Sequence, residues 1–345
     1  MTENKYLKWL SNNTQSIYWH DSAIPDEVEE AIANGACGMT TNPFLCGATL
    51  KKNPQFWSDS LRTLPRGLSG DEKAVKLQSM VVAHYANRLA PLHTSFGKGY
   101  CCAQTNPCKP GIVDTTIEQA KAYAQIAPNV VIKMPATRAG IEAIEECAAL
   151  GFNVAATVSF TVPQVIAVAE AIQRGFQRAR ANGLTPGLGI AVLMVGRLDD
   201  YLRDVMYDTK SACSEKDIIW AGTAAIKRAY HIFQERKYEC VLMPAGCRGG
   251  YHISELAGAK MIMSIAPKIA VQLQKLDEEC FVEKINEDVD AGIIDRLYSM
   301  KEFRKAYEPD GMTVDEFITF GSCNRTLDQF VNDGWNVLTG INYEI

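Results

Sequence analysis

Eight short apolar runs alternate along this chain with longer segments in which apolar residues recur at helical spacing. The runs occupy residues 16–22, 37–43, 99–107, 129–136, 153–160, 188–196, 240–246 and 260–266. They are apolar on both faces, which is typical of strands in a parallel sheet covered by helices on both sides. The segment after the first run opens with Pro25 and Asp26 and closes with Gly35, which are helix start and stop signals. Regular alternation of this kind predicts a parallel α/β fold.

The number and spacing of these units favour a closed barrel over an open sheet. Eight strand–helix units within about 260 residues match the size of a (β/α)8 TIM barrel. The alternative, a doubly wound sheet, usually carries G-x-G-x-x-G directly after an early strand. The nearest stretch here is GLGIAVLMVG at residues 187–196, whose glycines open and close a strand instead. We therefore predict a TIM barrel over residues 1–273 and a C-terminal helical extension, packed on the barrel, over residues 274–345.

The composition narrows the functional classes. The chain has 345 residues, a formal net charge of −5 and no long basic stretch interleaved with aromatic residues, so no nucleic-acid partner is predicted. A run of about 18 apolar residues is absent, which argues against a membrane span. The first residues lack the apolar segment of a signal peptide, so a cytoplasmic location is expected. The 11 cysteines include no C-x-x-C pair and the 5 histidines no H-E-x-x-H arrangement, so no metal site is predicted.

Lys133 interrupts the apolar run at residues 129–136 and poses the main functional question. A charged lysine is rarely buried unless it is paired, and burial favours the neutral amine. A neutral amine is a nucleophile that attacks carbonyl carbons. Lys133 is therefore either a strand-end lysine that reaches water or a carboxylate, or a lysine that forms a Schiff base with a carbonyl substrate.

Other polar residues lie near the carboxyl ends of the predicted strands, where TIM barrels place their chemistry. Each has an ordinary explanation as a helix cap, a turn residue or a hydroxyl at a strand end. However, Gln104 and Asn106 share one strand face, and an arginine after a late strand suits a bound phosphate. The candidate site residues are Asp21, Thr40, Thr41, Asn42, Gln104, Asn106, Lys133, Thr157, Arg197 and Arg248.

Over residues 16–270 the chain resembles the transaldolase family. The stretches that carry the resemblance are HDSAIPDEVEEAIANGACGMTTNP, VVIKMPATRAGIEAIEECAALGFNVAATVSFTVPQ, VGRLDDY and AGCRGG. The resemblance implies an enzyme that transfers a dihydroxyacetone unit from a ketose phosphate, fructose 6-phosphate or sedoheptulose 7-phosphate, to an aldose phosphate. It implies no cofactor, because the lysine itself supplies the electron sink. Small-molecule sugar phosphates are the expected partners, and a homo-oligomer is the expected state.

Carried over to this sequence, the resemblance implies a role for each candidate residue. Lys133 forms the Schiff base with the ketose carbonyl, Asp21 removes the C4 hydroxyl proton, and Thr157 helps to hold the catalytic water. Gln104 stands where typical transaldolases have a glutamate, so it can orient water but cannot exchange a proton as a carboxylate does. The residues expected to bind the donor are Thr40, Thr41, Asn42 and Asn106 for its hydroxyls, and Arg197 and Arg248 for its phosphate.

Departures from the family pattern leave three functions open. Fructose-6-phosphate aldolases, which favour cleavage and addition with free dihydroxyacetone, also have a glutamine at the position of Gln104, but they have a tyrosine where this chain has Met194. Val192 and Met194 lie where typical transaldolases have a serine and a phenylalanine, and Ala155 lies where an asparagine is usual. The chain is therefore a transaldolase, a lyase similar to fructose-6-phosphate aldolase, or a sugar-phosphate-binding barrel without catalysis.

Overall fold

The computed structural model describes residues 3–344, and these form eight parallel strands in a nearly closed barrel. In chain order the strands are β1 Ile17–His20, β2 Gly38–Met39, β3 Tyr100–Gln104, β4 Val130–Pro135, β5 Asn153–Thr157, β6 Gly189–Leu193, β7 Val241–Pro244 and β8 Ile262–Ile265. Neighbouring strands pair in the order β7-β6-β5-β4-β3-β2-β1-β8, and each pairing is parallel. β7 and β8 pack against each other and bring the two ends of the sheet together. The predicted TIM barrel is confirmed.

Helices alternate with the strands and cover the outside of the barrel. They are α1 Lys5–Asn13, α2 Pro25–Ala33, α3 Pro43–Lys52, α4 Pro54–Arg62, α5 Gly70–Leu89, α6 Val113–Ala124, α7 Arg138–Ala149, α8 Val162–Ala181, α9 Val195–Thr209, α10 Glu215–Ile218, α11 Ala221–Arg236, α12 Tyr251–Ser254 and α13 Pro267–Leu273. A short 3-10 helix at Ala90–Leu92 follows α5. Within residues 3–344, no helix combines the length and the apolar character that a membrane crossing requires.

Several helices begin directly at the carboxyl ends of strands because a polar side chain caps them. Asn42, Thr137 and Thr161 each accept a hydrogen bond from the backbone N–H three residues further on, at 2.9, 3.2 and 3.2 Å. Such caps satisfy backbone donors that the first helical turn leaves unpaired. Polar residues at this end of the barrel therefore stabilise the first turns of helices, whether or not they also take part in chemistry.

Gly140 explains the spacing of the turn between β4 and α7. A Cβ atom at this position would lie 1.8 Å from the carbonyl oxygen of Pro135, the last residue of β4. Only glycine allows the first turn of α7 to approach the strand this closely. The P-A-T-x-x-G stretch thus places a helix tightly behind the strand that carries Lys133.

After α13, a C-terminal helical extension packs across the barrel. Its elements are the 3-10 helix Glu278–Cys280, α14 Ala291–Tyr298, α15 Lys301–Tyr307, the 3-10 helix Val314–Thr319, α16 Gly321–Gln329, the π-helix Phe330–Trp335 and α17 Asn336–Gly340. The ring of Phe320 lies 4.9 Å from that of Tyr201 on α9 and 6.4 Å from that of Phe160. The indole of Trp335 donates to Asp71 on α5 at 2.8 Å. The predicted helical extension is confirmed, and its boundary at residue 273 stays a prediction.

Candidate active site

A cavity of about 250 Å³ opens at the carboxyl ends of the strands. The predicted residues that line it are Asp21, Asn42, Lys133, Thr157, Arg197 and Arg248. A larger cavity of about 520 Å³ lies between α11 and the extension, but none of the predicted residues lines it. Because parallel strands bring their carboxyl ends to one rim, residues that are far apart in sequence meet in the smaller cavity.

Lys133 projects from the buried strand β4 into this cavity. Its residue exposure is 7%, and within residues 3–344 its ammonium has no hydrogen bond and no carboxylate within 4 Å. The interpretation of Lys133 as half of an ion pair is therefore wrong. The side chain of Lys133 instead faces a space large enough for a small ligand.

Asp21 follows β1 and lies at the same rim. The hydroxyl of Thr40 donates to Asp21 Oδ1 at 2.6 Å, and the hydroxyl of Ser264 on β8 lies 2.9 Å from that of Thr40. Since the single proton of Thr40 is directed to the carboxylate, Ser264 donates to Thr40. This chain of hydroxyls orients the carboxylate of Asp21 at the rim.

Gln104 and Thr157 flank Lys133 on the neighbouring strands. Gln104 ends β3 in register with Lys133, and Thr157 ends β5. Within residues 3–344 the amide oxygen of Gln104 has no hydrogen-bond partner, and the residue is 2% exposed and does not line the cavity itself.

Three predicted donor-binding residues, Thr40, Thr41 and Asn106, do not line the cavity. The hydroxyl of Thr40 instead donates to Asp21. The hydroxyl of Thr41 donates to the backbone oxygen of Cys102. Asn106 donates to Asp71 at 3.1 Å and accepts from the backbone N–H of Cys108 at 2.8 Å. The prediction for Asn106 assumed that the strand continues beyond Gln104, but β3 ends there and the chain turns away.

Arg197 and Arg248 lie together on one side of the cavity. Burial lowers the pKa of Arg197, and the nearby charge of Arg248 lowers it further, whereas Asp200 and Asp21 raise it. Arg248 donates to Asp200 through Nε at 2.7 Å and to the backbone oxygen of Gly246 through Nη1 at 2.9 Å. Two guanidinium groups that repel each other in a partly buried site form a favourable environment for an anion.

Gly196 allows the two arginines to approach. A Cβ atom at this position would lie 2.4 Å from the carbonyl oxygen of Gly246 and 2.7 Å from Cγ of Arg248. The glycine before Arg197 therefore lets the start of α9 contact the loop after β7 directly. Its role is visible in the sequence only once the two elements are known to be neighbours.

The structure adds cavity residues that the sequence reasoning missed. Ser264 lies on β8 and Lys268 on α13, and both belong to the same rim as the predicted residues. Gln329 and Phe330 come from the extension and form a wall opposite the strands. A polar residue inside the last apolar run could have indicated Ser264, but no local pattern indicates where an extension docks.

The wall is in contact with the arginine side of the cavity. The guanidinium of Arg197 lies 5.8 Å from the ring centroid of Phe330, and its Nη1 lies 3.4 Å from the hydroxyl of Thr326 on α16. Cys247 also lines the cavity, and burial raises the pKa of its thiol to about 12. The thiol therefore stays protonated at neutral pH.

No group of three or more His, Cys, Asp or Glu side chains within residues 3–344 is placed to hold a metal ion. The chemistry available at the rim is that of an amine, a carboxylate, hydroxyls and guanidinium groups. This combination suits reactions of carbonyl compounds that carry an anionic group.

The fold is a TIM barrel, and its carboxyl rim holds a buried lysine that has no partner within residues 3–344 together with a carboxylate. A sequence profile described as Transaldolase/Fructose-6-phosphate aldolase matches residues 18–331, and the chain belongs to this family.

Among the curated relatives, Transaldolase 1 of Streptomyces avermitilis is 31% identical over 245 residues, which are 66% of this chain and 64% of that protein. Transaldolase 2 of Nostoc sp. is 29% identical over 255 residues, covering 67% and 65%. The transaldolase of Thiobacillus denitrificans is 26% identical over 236 residues, covering 66% and 64%. The match therefore spans less than two thirds of the length of these relatives.

Proposed function

We propose that this protein catalyses transaldolase-type transfer of a dihydroxyacetone unit between sugar phosphates through a Schiff base on Lys133. The observation that carries the proposal is the amine of Lys133, buried and unpaired, in a cavity that also contains Asp21 and two arginines. The curated relatives are named transaldolases, which supports the same activity.

The proposed reaction uses each group in turn. The amine of Lys133 adds to the C2 carbonyl of a ketose phosphate, and the resulting carbinolamine takes up one proton from solvent and loses water to give a protonated imine. Asp21 takes the proton of the C4 hydroxyl, the C3–C4 bond breaks, and its electron pair moves into the imine to give an enamine. The aldose phosphate leaves, and the enamine then adds to the carbonyl carbon of an acceptor aldose phosphate. Asp21 returns its proton to the new C4 oxygen, and water releases the product from Lys133.

The two arginines are suited to bind a phosphate group of the substrate. Arg197 and Arg248 line the cavity where the chain leaves β6 and β7, two and three strands away from the strand of Lys133. Bidentate hydrogen bonds from arginine to phosphate would hold the far end of the sugar while Lys133 engages its carbonyl. Small-molecule sugar phosphates are therefore the proposed substrates. The cytoplasmic location and the homo-oligomeric state stay predictions from the sequence.

Gln104 favours a second candidate function. Transfer requires the enamine to survive until an acceptor arrives, whereas a lyase releases free dihydroxyacetone. Gln104 cannot exchange protons, and it lies in register with Lys133 on the adjacent strand. This arrangement supports a lyase similar to fructose-6-phosphate aldolase as the alternative, and the ratio of transfer to release distinguishes the two.

Trapping the imine tests the proposal. The protein is incubated with fructose 6-phosphate, reduced with borohydride and analysed by peptide mass spectrometry. We expect a three-carbon adduct on Lys133. Asp21→Asn is the informative variant, because without the base the C3–C4 bond stays intact and a six-carbon adduct with its phosphate should accumulate instead.

The result also separates the alternatives. Adding erythrose 4-phosphate before reduction should lower the three-carbon adduct if transfer occurs. An adduct on Lys268, which lines the same cavity, or no adduct with either fructose 6-phosphate or dihydroxyacetone, would contradict the Schiff-base proposal.

A further inference from the structure

A buried acid–base pair lies beneath the loop that carries Arg248. Asp199 on α9 and His252 on α12 are both 0% exposed, and Asp199 Oδ2 lies 2.9 Å from His252 Nε2. Neither side chain lines the cavity. The proposed reaction gives this pair no role, although it lies next to residues that would bind the substrate's anionic group.

The hydrogen bonds around His252 assign a role to each ring nitrogen. The backbone N–H of Arg248 donates to His252 Nδ1 at 3.2 Å, so Nδ1 is the acceptor and Nε2 is the N–H of the ring. Nε2 faces the carboxylate of Asp199, although the contact is not aligned as a hydrogen bond. Asp199 Oδ1 accepts from the backbone N–H of Gly222 at 2.8 Å, in the first turn of α11. His252 is thus fixed between the arginine loop on one side and a carboxylate anchored to a helix N-terminus on the other.

Asp200, the residue after Asp199 on α9, contacts the guanidinium of Arg248. Asp200 accepts from Nε and Nη2 of Arg248 at 2.7 and 2.6 Å. Consecutive residues of a helix point about 100° apart, which follows from 3.6 residues per turn. Asp200 therefore faces the guanidinium of Arg248, and Asp199 faces His252. The two aspartates constrain the side chain of Arg248 directly and its backbone through His252.

We infer that Asp199 and His252 are positioning residues that set the backbone of Arg248 so that its guanidinium meets the anionic group of the substrate. The inference rests on the proposed function for the identity of that anion as a sugar phosphate. Stability alone is a weak explanation of the pair, because replacing both members of a buried polar pair by apolar groups of the same shape is often nearly neutral. A fixed hydrogen bond to the backbone of a binding residue is what an apolar pair could not supply.

Two substitutions of His252 each preserve one ring nitrogen and so isolate the contact. In His252→Asn the amide oxygen takes the place of Nδ1 and can accept from Arg248, whereas the contact with Asp199 is lost. In His252→Gln the amide nitrogen takes the place of Nε2 and keeps the contact with Asp199, but the acceptor for Arg248 is lost. The dissociation constant of inorganic phosphate, measured by calorimetry on the whole protein, is the readout.

We expect His252→Asn to bind phosphate within about twofold of the unchanged protein, and His252→Gln to bind it about tenfold more weakly, as expected for one lost hydrogen bond. Asp217→Asn is the matched control. Like Asp199, Asp217 is a buried carboxylate in contact with a basic side chain, here Arg296, but it lies away from the cavity. It should lower stability and leave phosphate binding unchanged.

The following outcomes would overturn the inference. Equal weakening by both His252 variants, or by Asp217→Asn, would show a general loss of structure rather than positioning. Where a His252 variant does not fold, Asp199→Asn replaces it, since it keeps an acceptor for Gly222. We expect it to weaken phosphate binding severalfold, because the new amide N–H would face Nε2 and leave the ring proton on Nδ1, where His252 can no longer accept from Arg248. Unchanged binding would reject the inference. If the unchanged protein binds no phosphate, the anion site is rejected, and borohydride trapping of dihydroxyacetone, which has no phosphate, decides separately whether the Schiff-base function stands.

Discussion

Lys133 and Lys227 are both buried, but their surroundings differ completely. Lys227 on α11 is 5% exposed and donates to the backbone oxygens of Lys284 and Glu287 at 2.8 and 2.6 Å. Lys133 is 7% exposed and has no such partner within residues 3–344. One lysine joins a helix to the extension, and the other presents its amine to a cavity. Burial by itself therefore does not distinguish a structural lysine from a reactive one, whereas the hydrogen-bond partners do.

Replacing each of these lysines by methionine should give opposite results. Lys133→Met removes an unpaired buried amine and keeps its apolar stem, so the melting temperature should stay or rise. Turnover and the borohydride adduct should disappear. Lys227→Met leaves two buried carbonyl oxygens unpaired and should lower the free energy of unfolding by about 2 kcal/mol while activity remains. Urea unfolding and the trapping assay on both variants check this, and residual turnover in Lys133→Met would exclude Lys133 as the nucleophile.

Gln104→Glu tests the role of the residue beside Lys133. A carboxylate at this position could move protons between the imine and water, as an amide cannot. We expect the ratio of transfer to released dihydroxyacetone to increase, measured with fructose 6-phosphate as donor and erythrose 4-phosphate as acceptor. Gln78→Glu is a suitable control, since Gln78 is also buried but donates to the backbone oxygen of Gln104 from outside the cavity. An unchanged ratio would remove the argument for the lyase alternative.

At the level of elements, the start of α9 and the loop after β7 function as one unit. Their contact depends on Gly196, because any side chain there would collide with the backbone of Gly246. The unit contains both arginines, Asp199 and Asp200. The anion site is therefore a property of the junction between two strand–helix units, and neither unit would form it alone.

Gly196→Ala should separate the two elements without unfolding the barrel. The added Cβ would lie 2.4 Å from the carbonyl oxygen of Gly246, so the loop must shift and carry Arg248 with it. We expect phosphate binding to weaken by about tenfold or more, as expected for the loss of one charge-assisted hydrogen bond. Gly111→Ala is the control, because a Cβ there meets no atom within 4 Å. Equal phosphate affinities in the two variants would show that the close contact is not needed.

The elements also show what the sequence could and could not predict. Buried parallel strands appear as apolar runs, so all eight strands were predictable, and their shared rim brings Asp21, Lys133 and Thr157 together. Asn106 was misplaced because alternation of strand faces holds only while the strand continues. The wall formed by Gln329 and Phe330 was not predictable, since it depends on tertiary docking of the extension and has no signature in local sequence.

For the whole molecule, His20 links stability to pH. It is 3% exposed, its Nε2 has no partner, and burial lowers its pKa to about 4. Between its unfolded pKa near 6.5 and pH 4, the unfolded chain binds the proton more readily than the folded one. Stability therefore falls as pH falls through this range, and the contribution of His20 is fully present only above it.

When the pH is lowered from 7 to 5, we expect protonation of His20 in the unfolded chain to decrease the free energy of unfolding by about 2 kcal/mol. His20→Leu should remove this part of the pH dependence, whereas His231→Asn, at an exposed position, should not. Urea unfolding of the three proteins at both pH values measures the difference. Identical pH dependence in the unchanged protein and in His20→Leu would contradict the assignment.

Because ribosomes make the chain from its N-terminal side, the extension is synthesised after the barrel strands. Synthesis proceeds at roughly 5–20 residues per second, and domains near the N-terminus generally fold first. All eight strands, and with them Lys133, are made before Gln329 and Phe330. The cavity around Lys133 therefore stays incomplete until residues 329 and 330 have been made, and the amine is enclosed only after all eight strands have been synthesised.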